Sequence, residues 1–445
     1  RGPQGTLYGK NTTAGALNIT TRAPSFTPEA RAELSVGNYD FVQGKTSISG
    51  PITDTLAIRL STSATTRHGT IYDVASNTDL HRQRNIGFRG QVLYKPTDTL
   101  SLTLAGDLNV QNPLCCAQYY ARVGTTQRAA NRQYPALAAA FGYAPPSTNP
   151  FDRVTDLDAK INSRQEVGGA SLVTNWDLGP ATLTSVSAWR YWDWKPANDR
   201  DFIGLPITTV SQNPSQQEQE SQEIRLASNG TNKLDYTVGA FLFDQTINTQ
   251  GSQVQGSAAS RFLLNPGNVP VGSRGCASPT ANACNPAVLN GLTSTNTINF
   301  KNTSFAVFGK LNWEAFNHFH VQPGIRVNYD KKSGSYVSVV TTGSGSTTLN
   351  ADQSATLAPQ SYAPRFSAWN VSGDVTLSYD FSADVHGYAT YAKSFKSGGI
   401  NLSGLPLNAA GTAVDLTTQT VKPEKVDAFE LGLKTQFLDR SVTLN

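Results

Sequence analysis

Four aromatic rings fall within six positions of the run AWRYWDWKPANDRDF (residues 188–202), where Trp189, Tyr191, Trp192 and Trp194 precede Asp199, Arg200 and Asp201. Stacked rings beside charged groups suit the binding of a sugar or an aromatic chelator. The same rings at the ends of membrane strands form an interface girdle, and that is the preferred reading. His318 and His320 flank a tight turn, but no further ligand stands near them, so interfacial side chains are expected rather than a metal site. Asp152, Asp156 and Asp158 lack the glycine and terminal glutamate of an EF-hand, so any Ca²⁺ contact would be weak and no metal is assigned. Cys276 and Cys284 share one polar Asn/Pro/Gly-rich stretch and are the candidate disulfide of an oxidising compartment. Cys115 and Cys116 are adjacent; a vicinal bridge is uncommon, and a bond between the two loops is the other option. No Ser/His/Asp set, nucleotide cradle or Cys–His pair stands out, so neither an enzyme nor a cofactor is indicated.

The elements that must position these residues are long strands. Leu100, Leu102, Leu104, Leu108 and Val110 alternate with Ser101, Thr103, Asp107 and Asn109. Val371, Val375, Leu377, Tyr379 and Phe381 alternate with Ser372, Asp374, Thr376 and Asp380, and Phe319–Asp330 repeats the pattern. Period two over eleven or twelve residues exceeds the usual soluble strand of ~5–6 and suits a tilted membrane-spanning strand of ~9–11. Strands are expected near 30–37, 40–50, 54–66, 84–95, 99–111, 163–177, 181–195, 216–228, 233–247, 302–315, 319–331, 367–381, 384–396 and 425–438, with another beginning at 440. Tight turns follow the even-numbered strands, and long connections follow the odd-numbered ones from the third onward. That asymmetry belongs to outer-membrane barrels, because a sandwich has no reason to sort loop length by parity. The apolar faces then meet lipid, with Tyr94, Trp176, Trp313, Phe316, Phe319, Tyr379, Phe381 and Phe437 beside the short turns. The polar faces carry Arg59, Arg89, Lys310, Arg326, Glu314 and Glu430, charges suited to holding material inside the bore by ion pairs.

Composition agrees. Charged residues are 15% of the 445, the net charge is +4, and no Met occurs. A charge so small and dispersed gives no case for nucleic acid. No apolar run reaches the ~18 residues of a membrane helix. The lack of Met, a start inside a motif and an end inside an alternation lead us to expect a fragment lacking both ends.

Four segments resemble TonB-dependent receptors in order along the chain. RGPQGTLYGKNTTAGALNITTRAP is similar to the end of the family's plug, with Arg1, Gly2, Pro3, Gly5, Leu7, Tyr8, Gly9 and Gly15 at its turns. Ala14-Gly15 stands where the family usually has paired glycines. GNYDFVQGKTSISGPITDTLAIRLSTSATTRHG resembles the first barrel hairpins, SQEIRLAS followed by YTVGAFLFDQ a mid-barrel pair, and YATYAKSFKSGGINLSG with VKPEKVDAFELGLKTQFLDRSVTLN two late strands. The resemblance implies an all-β fold: a transmembrane antiparallel β-barrel, incomplete at 14–15 of ~22 strands. It divides the chain into a plug remnant (1–28) and barrel wall (29–445). It implies an outer-membrane receptor of a Gram-negative bacterium, importing a scarce small-molecule nutrient: a ferric siderophore or other ferric chelate, cobalamin, an oligosaccharide or an aromatic compound. The expected partners are the lipid bilayer and the TonB–ExbB–ExbD complex, which acts through a segment outside this sequence. A passive diffusion porin, or an adhesin or phage-binding barrel, is the alternative.

Overall fold

The computed structural model describes residues 2–124, 126–230, 232–265, 281–410 and 413–444. Arg1 and Cys276 therefore lie outside the described residues, and with Cys276 the expected Cys276–Cys284 bridge. Among the described residues the main sheet has seventeen strands; two short ones, Thr208–Gln212 and Gln360–Tyr362, pair only at the strand tips, and the other fifteen are β1 Glu29–Gly37, β2 Phe41–Pro51, β3 Leu56–Arg67, β4 Gln83–Tyr94, β5 Leu100–Gln111, β6 Asn162–Asp177, β7 Ala181–Ala197, β8 Ser215–Ser228, β9 Leu234–Gln255, β10 Thr293–Phe316, β11 Phe319–Thr341, β12 Arg365–Ser382, β13 Val385–Lys396, β14 Glu424–Phe437 and β15 Val442–Leu444. Each pairs antiparallel with its neighbour in sequence, so β1 and β15 are the edges of one sheet. Among the described residues, no helix is long and apolar enough to cross a membrane.

The wall is built inside out. Along β12, Trp369 is 65% exposed, Val371 51% and Leu377 43%, whereas the intervening Asn370, Ser372 and Ser378 are at most 5% exposed. A soluble sheet buries the opposite set, because burying apolar surface is what stabilises it. Only a solvent of hydrocarbon makes this arrangement favourable. The same parity holds on β11, where Ile325 is exposed and Arg326, Asn328 and Asp330 are buried. The four apolar clusters identified among the described residues lie instead in the long connections and the strand tips beside them.

Expected and observed strands agree closely except at three tips and at two short strands, Thr208–Gln212 and Gln360–Tyr362, within stretches expected to be connections. β9, β10 and β11 run 22, 24 and 23 residues, well past the expected limits at 247, 302 and 331. The extensions are Thr-, Ser-, Asn- and Gln-rich and hydrogen-bond in unbroken register, for example Gln253 opposite Ser294 and Ser294 opposite Val340. Beyond the bilayer a strand needs no apolar face, so the ladder continues after the period-two hydrophobic pattern has faded. Short strands at 71–73, 78–80 and 154–155 form a separate small sheet within the long connections, where sequence periodicity placed only loop.

Candidate functional site

The segment 2–28 meets the polar face at two places, residues 5–11 against β10–β13 and residues 23–28 against β2–β3, with 16–22 exposed between them. The segment opens with one helical turn, α1 (Gly5–Tyr8), then reverses at Gly9. Ser372 donates to the Gly5 carbonyl at 3.0 Å, and a Cβ on Gly5 would sit 2.7 Å from that of Ser372, so only glycine permits this approach. Gly9 has φ +78° and packs on the Arg326 guanidinium, 3.3 Å from where its Cβ would be. Arg326 is in turn fixed by Asn328 at 2.9 Å and by the faces of Phe241 and Phe308. Gly2 and Gly15 also take positive φ, while Leu7 and Tyr8, following Pro3, are exposed away from the wall.

Two carboxylates on the wall hold the segment. Asp330, fully buried, pairs with Lys10 and accepts from Ser304 at 2.6 Å and Ser397 at 3.2 Å. Asp374 binds the Thr6 hydroxyl through one oxygen and Lys310 through the other at 2.7 Å. Asn11 N–H donates to the Phe395 carbonyl at 3.0 Å. At the far end Arg59, 4% exposed, bridges the Ala23 carbonyl, Ser47 and Glu29. Lys10, Thr6, Asp330 and Asp374 were not singled out by sequence as holding residues. Lys10 and Asp330 are 320 positions apart, a distance no local pattern spans.

Other candidates scatter. Arg89 is paired with Asp107, which also takes Arg190 at 2.6 Å, on a stretch of wall lined by β1 to β7. Glu430 accepts from Tyr388, and Glu314 from the His318 backbone N–H. His318 is the turn residue with φ +68°, and His320 is the second residue of β11. Cys115 and Cys116 are bonded to each other, the less expected of their pairings.

The tryptophan run divides by strand parity. Trp189 is 41% exposed on the apolar outer face, grouped with Leu104, Leu172 and Leu242, and Tyr191 follows on the same face with ring centroids 5.4 Å apart. Arg190 points to Asp107 on the polar face, and Trp192 and Trp194 share that side. Their rings stack at 5.4 Å, with indole N–H groups donating to Gln165 and Ser163. The run is therefore two pairs with opposite surroundings, not one platform.

The long connections pack into a cap. Ile71, Leu80, Ala117, Leu157 and Ile161 form one core, and Leu205, Ile207 and Ala258 another. Asp152, Asp156 and Asp158 do not converge: Asp152 accepts from Ser147 and Asn149, and Asp156 from Tyr143 at 2.9 Å. Asp158 instead meets Asp199 and Asp201, their carboxylate oxygens within 4.8 Å of one another. Asp199 also accepts from the backbone N–H groups of Asp158, Ala159 and Phe202. Burial first, then the neighbouring carboxylates, push Asp158 up to about 8 and Asp201 up to about 7. The folded cap thus holds protons that the unfolded chain releases near pH 4, so its stability is greatest in acid and declines as pH rises from about 4 towards 8. In chelator, hydrogen exchange over 157–161 and 199–208 should rise between pH 5.5 and 8 beyond the intrinsic chemical rate. Asp158→Asn should flatten that rise; an unchanged profile in the variant would refute the assignment.

The family model for the TonB dependent receptor-like β-barrel matches residues 117–445. The pesticin receptors of Yersinia enterocolitica and Yersinia pestis are 48% identical over 56 residues, covering 13% of this chain and 8% of each receptor. Among solved structures, the ferric yersiniabactin uptake receptor FyuA from Yersinia pestis aligns over 98% of this chain and 56% of its own, with 19% identity and a TM-score of 0.70. The siderophore receptor PiuA from Acinetobacter baumannii aligns over 100% and 60%, with 14% identity and a TM-score of 0.64. The ferric-catecholate import receptor Fiu from E. coli K12 covers 99% of this chain and 62% of its own, with 15% identity and a TM-score of 0.63. At these identities the likeness is one of fold, and the chain spans little more than half of the solved receptors. The inside-out wall, its parity-sorted connections and the match over 117–445 together make this chain a member of the TonB-dependent receptor β-barrel family, transport receptors of the Gram-negative outer membrane.

Proposed function

We propose that this chain belongs to a receptor importing a scarce chelated nutrient of the ferric siderophore class, with TonB, ExbB and ExbD supplying the energy. In this reading residues 1–28 are the end of the plug and 29–445 the first part of the barrel. The observation that supports it is the lock of residues 2–28 across the polar face through Lys10–Asp330, Thr6–Asp374 and Arg59–Ala23. A passive pore has no use for a bound segment there, and a surface adhesin has no use for a buried ionic latch. The cargo class rests on the stacked Trp192 and Trp194 at the polar side and on the names of the solved relatives, which are siderophore receptors.

The test is uptake of a panel of radiolabelled ferric siderophores by cells carrying the full-length protein, with and without TonB. Saturable uptake that vanishes without TonB is expected. Uptake independent of TonB, or solute leakage in liposome swelling, overturns the reading. Trp192→Ala and Trp194→Ala should each weaken cargo binding roughly two- to tenfold, the range for a lost aromatic stack, while Trp189→Ala should leave it unchanged. Equal effects from all three would contradict the division of the run.

A further inference from the structure

Arg261 is a buried cation without a counterion. It sits on α2 (Ala259–Leu263) in the long connection between β9 and β10 and is 6% exposed. Its Nε and Nη1 have no hydrogen-bond partner, and among the described residues no carboxylate lies within ion-pair distance. The chain has no Asp or Glu between Asp244 and Glu314, and the only other charge in this connection is Arg274, also basic. Burial lowers the Arg261 pKa with no neighbouring charge contributing. Native proteins pair buried charges, because an isolated one costs several kcal/mol of desolvation. A guanidinium stays protonated, so it cannot escape that cost by losing its proton.

The cation is held still rather than left loose. Ser260 donates to the Pro286 carbonyl at 3.3 Å and accepts from Leu289 N–H at 3.2 Å, fixing one flank of the helix. Phe262 stacks on Phe141 at 5.9 Å, fixing the other. Between them is a cavity of about 280 Å³ lined by Phe141, Arg261, Ala283 and Pro286, with exposed Ser257 on its edge. The Arg261 side chain lines this cavity, and a guanidinium at the wall of a small cavity can form a charge-assisted pair with one oxyanion.

We propose that this cavity binds a small oxyanion, a carboxylate or phosphate group, on Arg261, at a site in the cap separate from the bore. The site does not depend on the identity of the cargo or on energised uptake.

The test uses the full-length protein in detergent at constant ionic strength, with chloride exchanged for inorganic phosphate or acetate. Thermal unfolding and calorimetric titration are measured for wild type, Arg261→Gln and Arg261→Met. Either oxyanion should bind wild type saturably and raise its Tm, and the tighter of the two identifies the oxyanion class. Both variants should lose at least tenfold in affinity and all of the Tm response. In chloride alone they should melt no lower than wild type, because they remove an uncompensated charge. The absence of saturable binding of either ion to wild type overturns the proposal, as does an equal response in the variants. A variant that melts well below wild type in chloride also counts against it, since Arg261 would then have an internal partner.

Discussion

Asp330→Ala should release residues 4–12 from the wall. Asp330 is the fully buried hub that receives Lys10, Ser304 and Ser397, and Ser397 also accepts from Lys332 at 3.1 Å. Removing the carboxylate leaves two ammonium groups sharing a polar pocket with no anion between them. Breaking one side of a buried pair costs about 3–5 kcal/mol, because the survivor stays desolvated and unpaired. At about 1.4 kcal/mol per tenfold, amide exchange at Tyr8, Gly9 and Asn11 should accelerate by roughly 10²-fold or more. Asp330→Asn keeps an acceptor for one of the two hydroxyls and can donate to the other, and should have a smaller effect. Asp107→Ala breaks the Arg89 and Arg190 pairs on another part of the wall and should leave those amides alone. Equal acceleration by Asp107→Ala and Asp330→Ala would mean the segment responds to general loosening, not to its latch.

The second large effect concerns the outer face. Trp369 and Tyr329 pack at one end of an apolar band, and Tyr379 and Phe381 at the other. Twelve residue steps separate Trp369 from Phe381. At ~3.4 Å per residue and a tilt of ~45° they rise roughly 29 Å, close to the thickness of the hydrocarbon core. Leu377 lies well inside that band and is exposed. Leu377→Arg should therefore reduce folding into lipid vesicles by about 2–4 kcal/mol, the cost of arginine near the bilayer centre. Thr376→Arg, one residue away on the polar side beside Thr390, should change it by less than about 1 kcal/mol. Similar losses from both would argue that the two faces share one environment.

The wall could be read from sequence because its signal is local. Lipid on one side and a wet bore on the other force every second residue of β5, β11 and β12 into the same class, and no partner strand need be known. The tips of β9 to β11 escaped because water bathes both faces there, leaving a ladder of Thr, Ser and Asn without contrast. The latch escaped for a different reason: Asp330 reads as an ordinary polar position until Lys10 arrives from the other end of the chain. Asp199 and Asp201 were visible in sequence but not their meeting with Asp158, which needs two loops to fold together. Two features were available and unused. A strand running to 195 already puts Trp189 and Tyr191 opposite Trp192 and Trp194. The stretch without acid from 245 to 313 already left Arg261 without a local counterion.

Spin labels placed one at a time from 369 to 381, omitting Gly373 where a side chain would meet the Gly324 backbone, in the protein reconstituted in a bilayer test the central claim most directly. Accessibility to dissolved oxygen and to a water-soluble nickel chelate is read at each site. Oxygen contact should peak at 369, 371, 375, 377, 379 and 381, with the polar side between them shielded from lipid. Maxima at the even positions, or a profile with no two-residue period, would contradict a wall that turns its apolar face to acyl chains and its polar face to the bound N-terminal segment.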